Sequence, residues 1–218
     1  MRPIDLRLYL VTDRTLCGAR GVAGTVRAAV AGGVTAVQVR DGAADGHDLY
    51  HLAVELVAIL APSGVPLIVN DRIDVALAAG AQGTHLGQGD LPADRARAIA
   101  GPDHLIGWSA TSAEMAPLTA WPPGIVDYLG VGPVWATPTK ADAGPPIGLD
   151  GLGESCRVAA RLPVPLPCVG IGGIDATNAA AVLEAGAAGV AVVSAICAAV
   201  DPAGAAAELA ALVAGGRR

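Results

Sequence analysis

Side chains suited to binding phosphate and a divalent cation recur along this chain of 218 residues, several of them at the end of a short apolar run. Gln38 and Arg40 end the run VTAVQVR, Asn70 and Asp71 end VPLIVND, and Asp90 follows GTHLG. An arginine at the mouth of a fold needs an anionic partner, and its guanidinium grips oxyanions with two hydrogen bonds. Two carboxylates are hard oxygen ligands of the kind that hold Mg²⁺ together with a substrate phosphate. These residue types predict a metal-dependent site for phosphorylated substrates.

A second group of polar side chains lies in the later half of the chain. Ser109 ends the run LIGWS, and Thr137, Thr139 and Lys140 lie in WATPTKADAGPP. Lys140 is the only lysine among the 14 lysine and arginine residues. Two hydroxyls and an ammonium on a proline-stiffened loop suit a phosphate or diphosphate, and the Gly and Pro residues beyond them predict a lid that orders on binding. The competing interpretation is an exposed loop with an incidental lysine.

Two further turns have the composition of a phosphate grip. GIGGI (170–174) contains Gly172 and Gly173, and VVSAI (192–196) contains Val193 and Ser194. Glycine lets the backbone approach an anion closely, and exposed N–H groups at a helix start favour negative charge. The competing interpretation is two tight turns that simply need small residues.

The carboxylates also have a structural interpretation. Asp71 would cap the helix that follows it, and Asp90 in GDLPADRA would belong to the cap of the next helix. Asp94 is an alternative cap for that helix, which would leave Asp90 for the metal.

The four histidines predict no catalytic base. His47 and His51 are four residues apart, lack a third ligand, and are interpreted as part of a solvated helix face. His85 lies within an apolar run and is interpreted as a hydrogen-bonded residue of the strand. His104 precedes the next run and is interpreted as a surface residue.

Eight apolar runs alternate with amphipathic or alanine-rich stretches, which predicts alternating strands and helices. The runs cover 8–12, 34–40, 65–70, 83–87, 105–109, 126–132, 165–172 and 189–194, and the predicted helices cover about 22–32, 47–61, 72–80, 92–100, 112–120, 150–161, 176–186 and 202–214. Eight βα units predict an α/β fold, a single (β/α)8 TIM barrel that occupies residues 1–218 as one domain. A doubly wound open sheet is the rival, but the first turn, VTDRTLCGARG, lacks its G-x-G-x-x-G pattern. In a barrel the polar run ends meet on one face, which predicts the site there.

The composition argues against several classes of protein. With 53% hydrophobic and 16% charged residues the chain is not disordered, and a net charge of −6 without a basic stripe predicts no nucleic-acid partner. No apolar run approaches the ~20 residues that span a bilayer. The start, MRPIDLRLYLVTD, has no signal-peptide core, so we expect a soluble, cytoplasmic protein with no membrane partner. The four scattered cysteines disfavour a zinc site or a disulfide framework.

Longer motifs carry a resemblance to a known family. The stretches LYLVTD, VQVRDG, VNDRIDVALAAGAQGTHLGQGDLP, DYLGVGPVWATPTKADAGPPIGL and VGIGGIDATNAAAVLEAGAAGVAVVSAI span nearly the whole chain. Together they resemble the thiamine-phosphate synthases, and the blocks NDR…HLGQ-x-DLP and GVGP…TPTK are far more specific than the glycine turns. The resemblance implies a transferase that joins hydroxymethylpyrimidine diphosphate to hydroxyethylthiazole phosphate, with Mg²⁺ as cofactor. It implies that the C–O bond to the diphosphate breaks first, after which the thiazole nitrogen captures the pyrimidine carbocation.

The resemblance also assigns roles to matching positions. It implies that Asp71 and Asp90 hold Mg²⁺, and that Arg40, Ser109 and Lys140 act in catalysis. The substrate-binding positions that it implies are, for the pyrimidine diphosphate, Gln38, Arg40, Asn70, Ser109 and Lys140, and, for the thiazole phosphate, Thr137, Thr139, Gly172, Gly173, Val193 and Ser194. It makes no prediction of oligomeric state.

The chain departs from the family pattern at two positions. The second-strand motif, in the family Gln-x-Arg-acid-Lys, reads QVRDG here, with Gly42 in place of the lysine. The fifth-strand motif, in the family Ser-x-His, has Thr111 at the histidine. The missing cation predicts weaker diphosphate binding unless Arg14 or Arg72 replaces it.

Three alternatives share the fold class or the phosphate turns. A thiazole tautomerase-like barrel typically carries a histidine where this chain has Pro133. Such a barrel also lacks the full Thr-Pro-Thr-Lys motif, which this chain has, so both points count against it. A non-catalytic homologue that binds thiamine precursors is supported only by the two departures. The glycine turns alone would also permit a sugar-phosphate epimerase or an indole-pathway enzyme, which TPTK and NDR do not favour.

Overall fold

Eight short parallel strands close into a barrel in the order in which they occur along the chain. The computed structural model describes residues 4–139 and 144–214. The strands are β1 (Leu8–Val11), β2 (Ala36–Val39), β3 (Leu67–Asn70), β4 (Gly83–Leu86), β5 (Leu105–Ser109), β6 (Tyr128–Val131), β7 (Cys168–Ile171) and β8 (Gly189–Val192). The ring is closed because β1 pairs in parallel with both β2 and β8. The predicted α/β fold, a (β/α)8 TIM barrel, is confirmed.

Small and aromatic side chains share the inside of the barrel. Tyr9 and Tyr128 belong to the inner cluster together with the smaller Ala36 and Ala191, and the two phenol rings meet edge to face with their centroids 5.9 Å apart. Alternate residues of the same strands, such as Leu8, pack outward against the helices. Both strand faces are therefore buried, which is why the strands appear in the sequence as continuous apolar runs.

Helices follow the strands and cover the outside of the barrel. They are α1 (Arg14–Cys17), α2 (Gly21–Ala31), α3 (Gly46–Leu60), α4 (Ile73–Ala79), α5 (Ala93–Ala100), α6 (Gly148–Ala160), α7 (Ala179–Glu184), α8 (Ser194–Cys197) and α9 (Pro202–Ala214). Asp45 caps α3 by accepting the Asp48 N–H at 2.9 Å, and Gly80, with a φ of 72°, ends α4 in the left-handed conformation. Among the helices of residues 4–139 and 144–214, none is long and apolar enough to cross a membrane.

The predicted helix at 112–120 is wrong. Two 3₁₀ turns, Ser112–Glu114 and Ala116–Thr119, occupy this stretch instead. Pro117 lacks the N–H that an α-helix would need there, and its ring clashes with the preceding turn. Thr111 and Glu114 form a capping box that closes the first turn on itself. The short helices α1 and α8 were not predicted, because four residues carry too little periodicity to recognise.

Candidate active site

A cavity of about 200 Å³ opens at the carboxyl ends of the strands, the end where this fold places its sites. Most of the residues predicted as ligands contribute to its wall: Gln38, Arg40, Asn70, Ser109, Thr137, Thr139, Gly172, Gly173, Val193 and Ser194. Lys140 and the predicted lid beyond it, up to residue 143, lie outside the described residues. The strand ends therefore bring together polar groups that are up to 156 residues apart in the sequence, from 38 to 194.

Arg40 and the loop after β2 form one side of the cavity. The backbone N–H of Arg40 donates to Thr12 Oγ1 at 3.1 Å, which fixes the point where the chain leaves the strand. The neighbouring carboxylate is paired with another cation: Asp41 Oδ2 accepts from Arg14 Nε at 2.5 Å. Asp41 Oδ1 also accepts the N–H groups of residues 43 and 44, at 3.2 and 3.1 Å. Asp41 thus organises the loop that contains Gly42 and anchors Arg14 beside it.

Asp71 and Asp90 lie at the ends of β3 and β4 and are not part of the cavity wall. Asp71 has a φ of 61°, and no other non-glycine residue of the described chain has a positive φ. Its N–H donates to the carbonyl of His85 at 2.8 Å, so the strained backbone is held by the adjacent strand. A left-handed non-glycine residue costs about 1 kcal/mol or more and is typical of functional positions.

The capping interpretations of these carboxylates are wrong. The N-cap of α4 is Arg72, one residue after Asp71, and it makes no side-chain capping hydrogen bond. The N-cap of α5 is Pro92, and Asp94 lies inside the first turn. Asp90 Oδ2 instead accepts the Gly87 N–H at 2.6 Å and closes the turn after β4. Two carboxylates that follow adjacent strands, neither used as a helix cap, are a donor set that fits Mg²⁺.

A second acidic group lies on the exposed start of α3. Ligand atoms of Asp45, His47 and Asp48 lie within 4.8 Å of one another. The Asp45 carboxylate is accounted for as the helix cap, and all three residues are exposed. His51 Nε2 is 3.2 Å from His47 Nε2 on the same exposed face, in agreement with the prediction of a solvated surface. That prediction did not include Asp45 and Asp48. The spacing of the two histidines along the helix does not show that these carboxylates lie beside His47.

The turn after β7 has geometry that only glycine tolerates. Gly172 and Gly173 have φ values of 101° and 67°. A Cβ on Gly172 would lie 2.6 Å from Pro133 Cβ, and one on Gly173 would lie 2.7 Å from Trp135 Cβ. The two glycines therefore let this turn pack closely against the segment after β6 and bring bare backbone to the cavity.

Thr137 and Thr139 lie on that same segment after β6. Their hydroxyl oxygens are 3.2 Å apart, and the Thr139 N–H donates to Thr137 Oγ1 at 3.3 Å. The segment is fixed to the end of β7, because Val134 and Trp135 donate backbone hydrogen bonds to Ile171 and Gly172, at 2.8 and 3.0 Å. Both hydroxyls thus face the cavity from a backbone that is paired with the glycine turn.

The floor of the cavity contains groups that the sequence analysis missed. Tyr9 and His85 line it, and His85 is hydrogen-bonded to Tyr128 and Ser109, as predicted for a satisfied barrel residue. The sequence analysis made no prediction for Tyr9 or Tyr128, each of which lies inside an apolar run. The alternation of residues along a strand could have shown that these tyrosines face inward. A buried phenol hydroxyl needs a hydrogen-bond partner, which indicates a polar group nearby.

The interpretation of His104 as a surface residue is wrong. It is 8% exposed, and its Nε2 lies 2.8 Å from Thr84 Oγ1. Burial, assisted by the positive charge of Arg97, lowers the pKa of the imidazole. His104 precedes β5, at the end of the strand opposite the cavity, and its role is structural.

Known proteins match the chain over almost its whole length. The model of a family described as thiamine monophosphate synthase matches residues 8–196. The thiamine-phosphate synthase of Azorhizobium caulinodans is 53% identical over 216 residues, 99% of each chain. That of Chloroflexus aurantiacus is 50% identical over 210 residues, 96% of this chain and 94% of the other. The solved structure of thiamine phosphate pyrophosphorylase from Pyrococcus furiosus has a TM-score of 0.83 and 36% identity, with 96% of each chain covered.

Proposed function

Because the chain belongs to the thiamine monophosphate synthase family, which makes it a transferase acting on small molecules of thiamine biosynthesis, we propose its reaction and its site. The enzyme joins hydroxymethylpyrimidine diphosphate to hydroxyethylthiazole phosphate. The bond between the pyrimidine methylene carbon and the diphosphate oxygen breaks, and a bond from that carbon to the thiazole nitrogen forms. Thiamine phosphate and diphosphate are the products. The sequence-based prediction that the enzyme works in the cytoplasm stays a prediction.

The observation that supports this proposal is the presence of two sets of polar groups suited to anions on opposite arcs of one cavity. Arg40 and Asn70 follow β2 and β3, whereas Thr137, Thr139 and the turn at 172–173 follow β6 and β7. In a closed barrel of eight strands these pairs face each other across the mouth. Two phosphorylated substrates need such an arrangement, since each is held by its own phosphate while the reactive atoms meet between them.

The leaving diphosphate belongs to the arc that carries Arg40. The fixed positive charge of Arg40 stabilises the negative charge that develops as the C–O bond breaks, and Lys140 would add a second positive charge. A Mg²⁺ held by Asp71 and Asp90 would supply further positive charge to the same group. Asn70 orients the diphosphate through hydrogen bonds, and the opposite arc holds the thiazole phosphate.

A dissociative substitution of this kind requires no strong general base. The histidine beside the cavity, His85, has its Nδ1 3.1 Å from Tyr128 Oη and its Nε2 2.9 Å from Ser109 Oγ. Both ring nitrogens are thus engaged in the barrel floor. This supports a mechanism driven by charge stabilisation and positioning rather than by proton abstraction.

The test is a coupling assay with purified protein, Mg²⁺ and both phosphorylated precursors, in which thiamine phosphate is measured. Asp71→Asn keeps the size of the side chain and removes the charge, and we expect it to abolish most product. Asp94→Asn, in the nearby first turn of α5, is the matched control and should retain full activity. A folded wild-type protein that yields no thiamine phosphate, or an Asp71→Asn variant as active and as Mg²⁺-dependent as the wild type, would refute the proposal.

A further inference from the structure

Five side chains from five strands form one continuous hydrogen-bonded chain across the floor of the cavity. Gln38 Nε2 donates to Tyr9 Oη at 2.9 Å, and Tyr9 Oη lies 2.8 Å from Tyr128 Oη. Tyr128 Oη lies 3.1 Å from His85 Nδ1, and His85 Nε2 lies 2.9 Å from Ser109 Oγ. We call this set the floor relay. Its two ends, Gln38 and Ser109, are both predicted substrate ligands.

Tyr128 differs from the other members of the floor relay. Gln38, Tyr9, His85 and Ser109 all contribute to the cavity wall, whereas Tyr128 is 0% exposed and does not. A bound molecule would touch the other four residues but not this one. Any effect of Tyr128 on a ligand must therefore pass through its hydrogen bonds.

Counting protons gives the floor relay a direction. Each phenol has one proton to donate, and burial raises the pKa of both phenols, so both are neutral. In the arrangement that gives each of these protons an acceptor within the floor relay, Tyr9 accepts from the Gln38 amide and donates to Tyr128, and Tyr128 donates to His85 Nδ1. The neutral imidazole then carries its proton on Nε2 and donates it to Ser109 Oγ. The Ser109 proton is left to point into the cavity.

Two glycines of the barrel strands leave the space that these rings occupy. A methyl group on Gly107 would overlap both the ring of Tyr128 and Nδ1 of His85. A methyl group on Gly130 would lie 2.9 Å from His85 Cε1. Glycine weakens a strand interior, so two of them on neighbouring strands indicate that close approach of the rings is required there.

We propose that Tyr128 is a positioning residue that sets the hydrogen-bond polarity of the cavity: Gln38 Oε1 accepts at one end of the floor relay, and the Ser109 hydroxyl donates at the other. A ligand edge with an amino group beside an unprotonated ring nitrogen matches this polarity. The identification of that ligand as the aminopyrimidine rests on the proposed function. An edge of opposite polarity would leave both ends facing like groups, which is strongly disfavoured in a buried site.

The direction of the floor relay is tested first without substrate. In ¹⁵N-histidine-labelled wild type at neutral pH, His85 should be the neutral tautomer with the proton on Nε2 and a bare Nδ1, its signals assigned by their loss in His85→Gln. Tyr128→Phe should shift the His85 Nδ1 signal, while Tyr50→Phe, a change of the same chemistry on α3, should not. A wild-type His85 protonated on Nδ1 overturns the proposal, and this result needs no variant to fold.

The consequence for recognition is tested with two substrates. One is the aminopyrimidine diphosphate, and the other is its analogue in which a carbonyl replaces the amino group and the adjacent ring nitrogen carries a proton. In Tyr128→Phe we expect the preference for the amino form, as a ratio of kcat/KM values, to fall by about tenfold. The KM for the thiazole phosphate should stay unchanged.

Lower activity of Tyr128→Phe with an unaltered preference would show a merely structural role and overturn the proposal. If the wild type made no thiamine phosphate at all, the proposed function would fail, and binding of the two pyrimidine diphosphates would replace kinetics as the measure of preference. The tautomer experiment would stand in either case, so the two failures are distinguishable.

Discussion

Position 42 provides a direct test of how the cavity binds a diphosphate. Gly42 lies on the loop that Asp41 organises, two residues after Arg40, and it is exposed. Apart from its two chain neighbours, no residue that the structure describes lies within 4 Å of a Cβ added there, and its φ is not among the positive values of the described chain. A side chain is therefore accommodated without strain. We predict that Gly42→Lys, which restores the family's cation, strengthens binding of the pyrimidine diphosphate.

The size of the effect follows from Coulomb's law for a lysine that reaches the edge of the cavity. A unit charge about 6 Å from a diphosphate oxygen, at an effective dielectric constant of about 20, gains about 3 kcal/mol. Ordering a lysine side chain costs about 1.5–2 kcal/mol. The remainder of about 1 kcal/mol corresponds to a KM for the pyrimidine diphosphate about fivefold lower.

The assay is steady-state synthesis of thiamine phosphate at saturating thiazole phosphate and Mg²⁺, repeated at low and high salt. Gly42→Gln is the control, because it adds a polar side chain of similar reach without charge. The gain in Gly42→Lys should shrink as salt rises, since an exposed charge is screened. An equal fall in KM for both variants, or no fall in the lysine variant, would refute the electrostatic reasoning.

Two further predictions follow from the charges around the barrel. Arg14→Ala should raise the KM for the pyrimidine diphosphate about fivefold, because Arg14 is anchored beside Gly42. Arg72→Ala should leave this KM unchanged, because two nitrogens of Arg72 already bind Asp74 at 2.8 and 2.6 Å. The same KM measurement checks both variants. Burial lowers the pKa of His104 below its ordinary 6.5, so the unfolded chain binds the proton more tightly and stability falls as pH drops from about 7 to about 5. Urea unfolding across that range should show a shallower pH dependence in His104→Gln, and an unchanged slope would contradict the assignment.

The barrel and the wall of its cavity were predictable because both depend on local patterns. Strands buried on both faces appear as apolar runs, and parallel strands bring their carboxyl ends to one edge. Gln38, Arg40 and Ser109 each end such a run, so the sequence predicted their place in the cavity without any knowledge of contacts. The roles assigned to them stay predictions that the assays above address.

The floor relay was not predictable in the same way. Tyr9 and Tyr128 are 119 positions apart, and their hydroxyls meet only because the sheet closes into a ring. Periodicity shows that a tyrosine faces inward, but it does not show which side chain lies opposite. The same limit explains His104, whose hydrogen-bond partner is Thr84 of β4.

At 112–120 individual residues prevent the helix that the sequence pattern predicted. The apolar spacing there is compatible with a helix, but Pro117 removes a donor in the middle of it. Thr111 meanwhile turns its hydroxyl to the Glu114 carboxylate at 2.8 Å. The position that holds a histidine in the family thus has a structural role in this chain.

The two departures from the family pattern share a location that limits their consequences. Gly42 and Thr111 both lie on loops that follow strands, whereas every member of the floor relay lies on a strand. Strand residues are constrained by register and by neighbours on either side, so a change there would disturb several hydrogen bonds at once. At the exposed position 42, the family's lysine would add a charge without packing against the strands. We therefore expect the missing lysine to weaken diphosphate binding and to leave the proposed polarity of the floor relay intact.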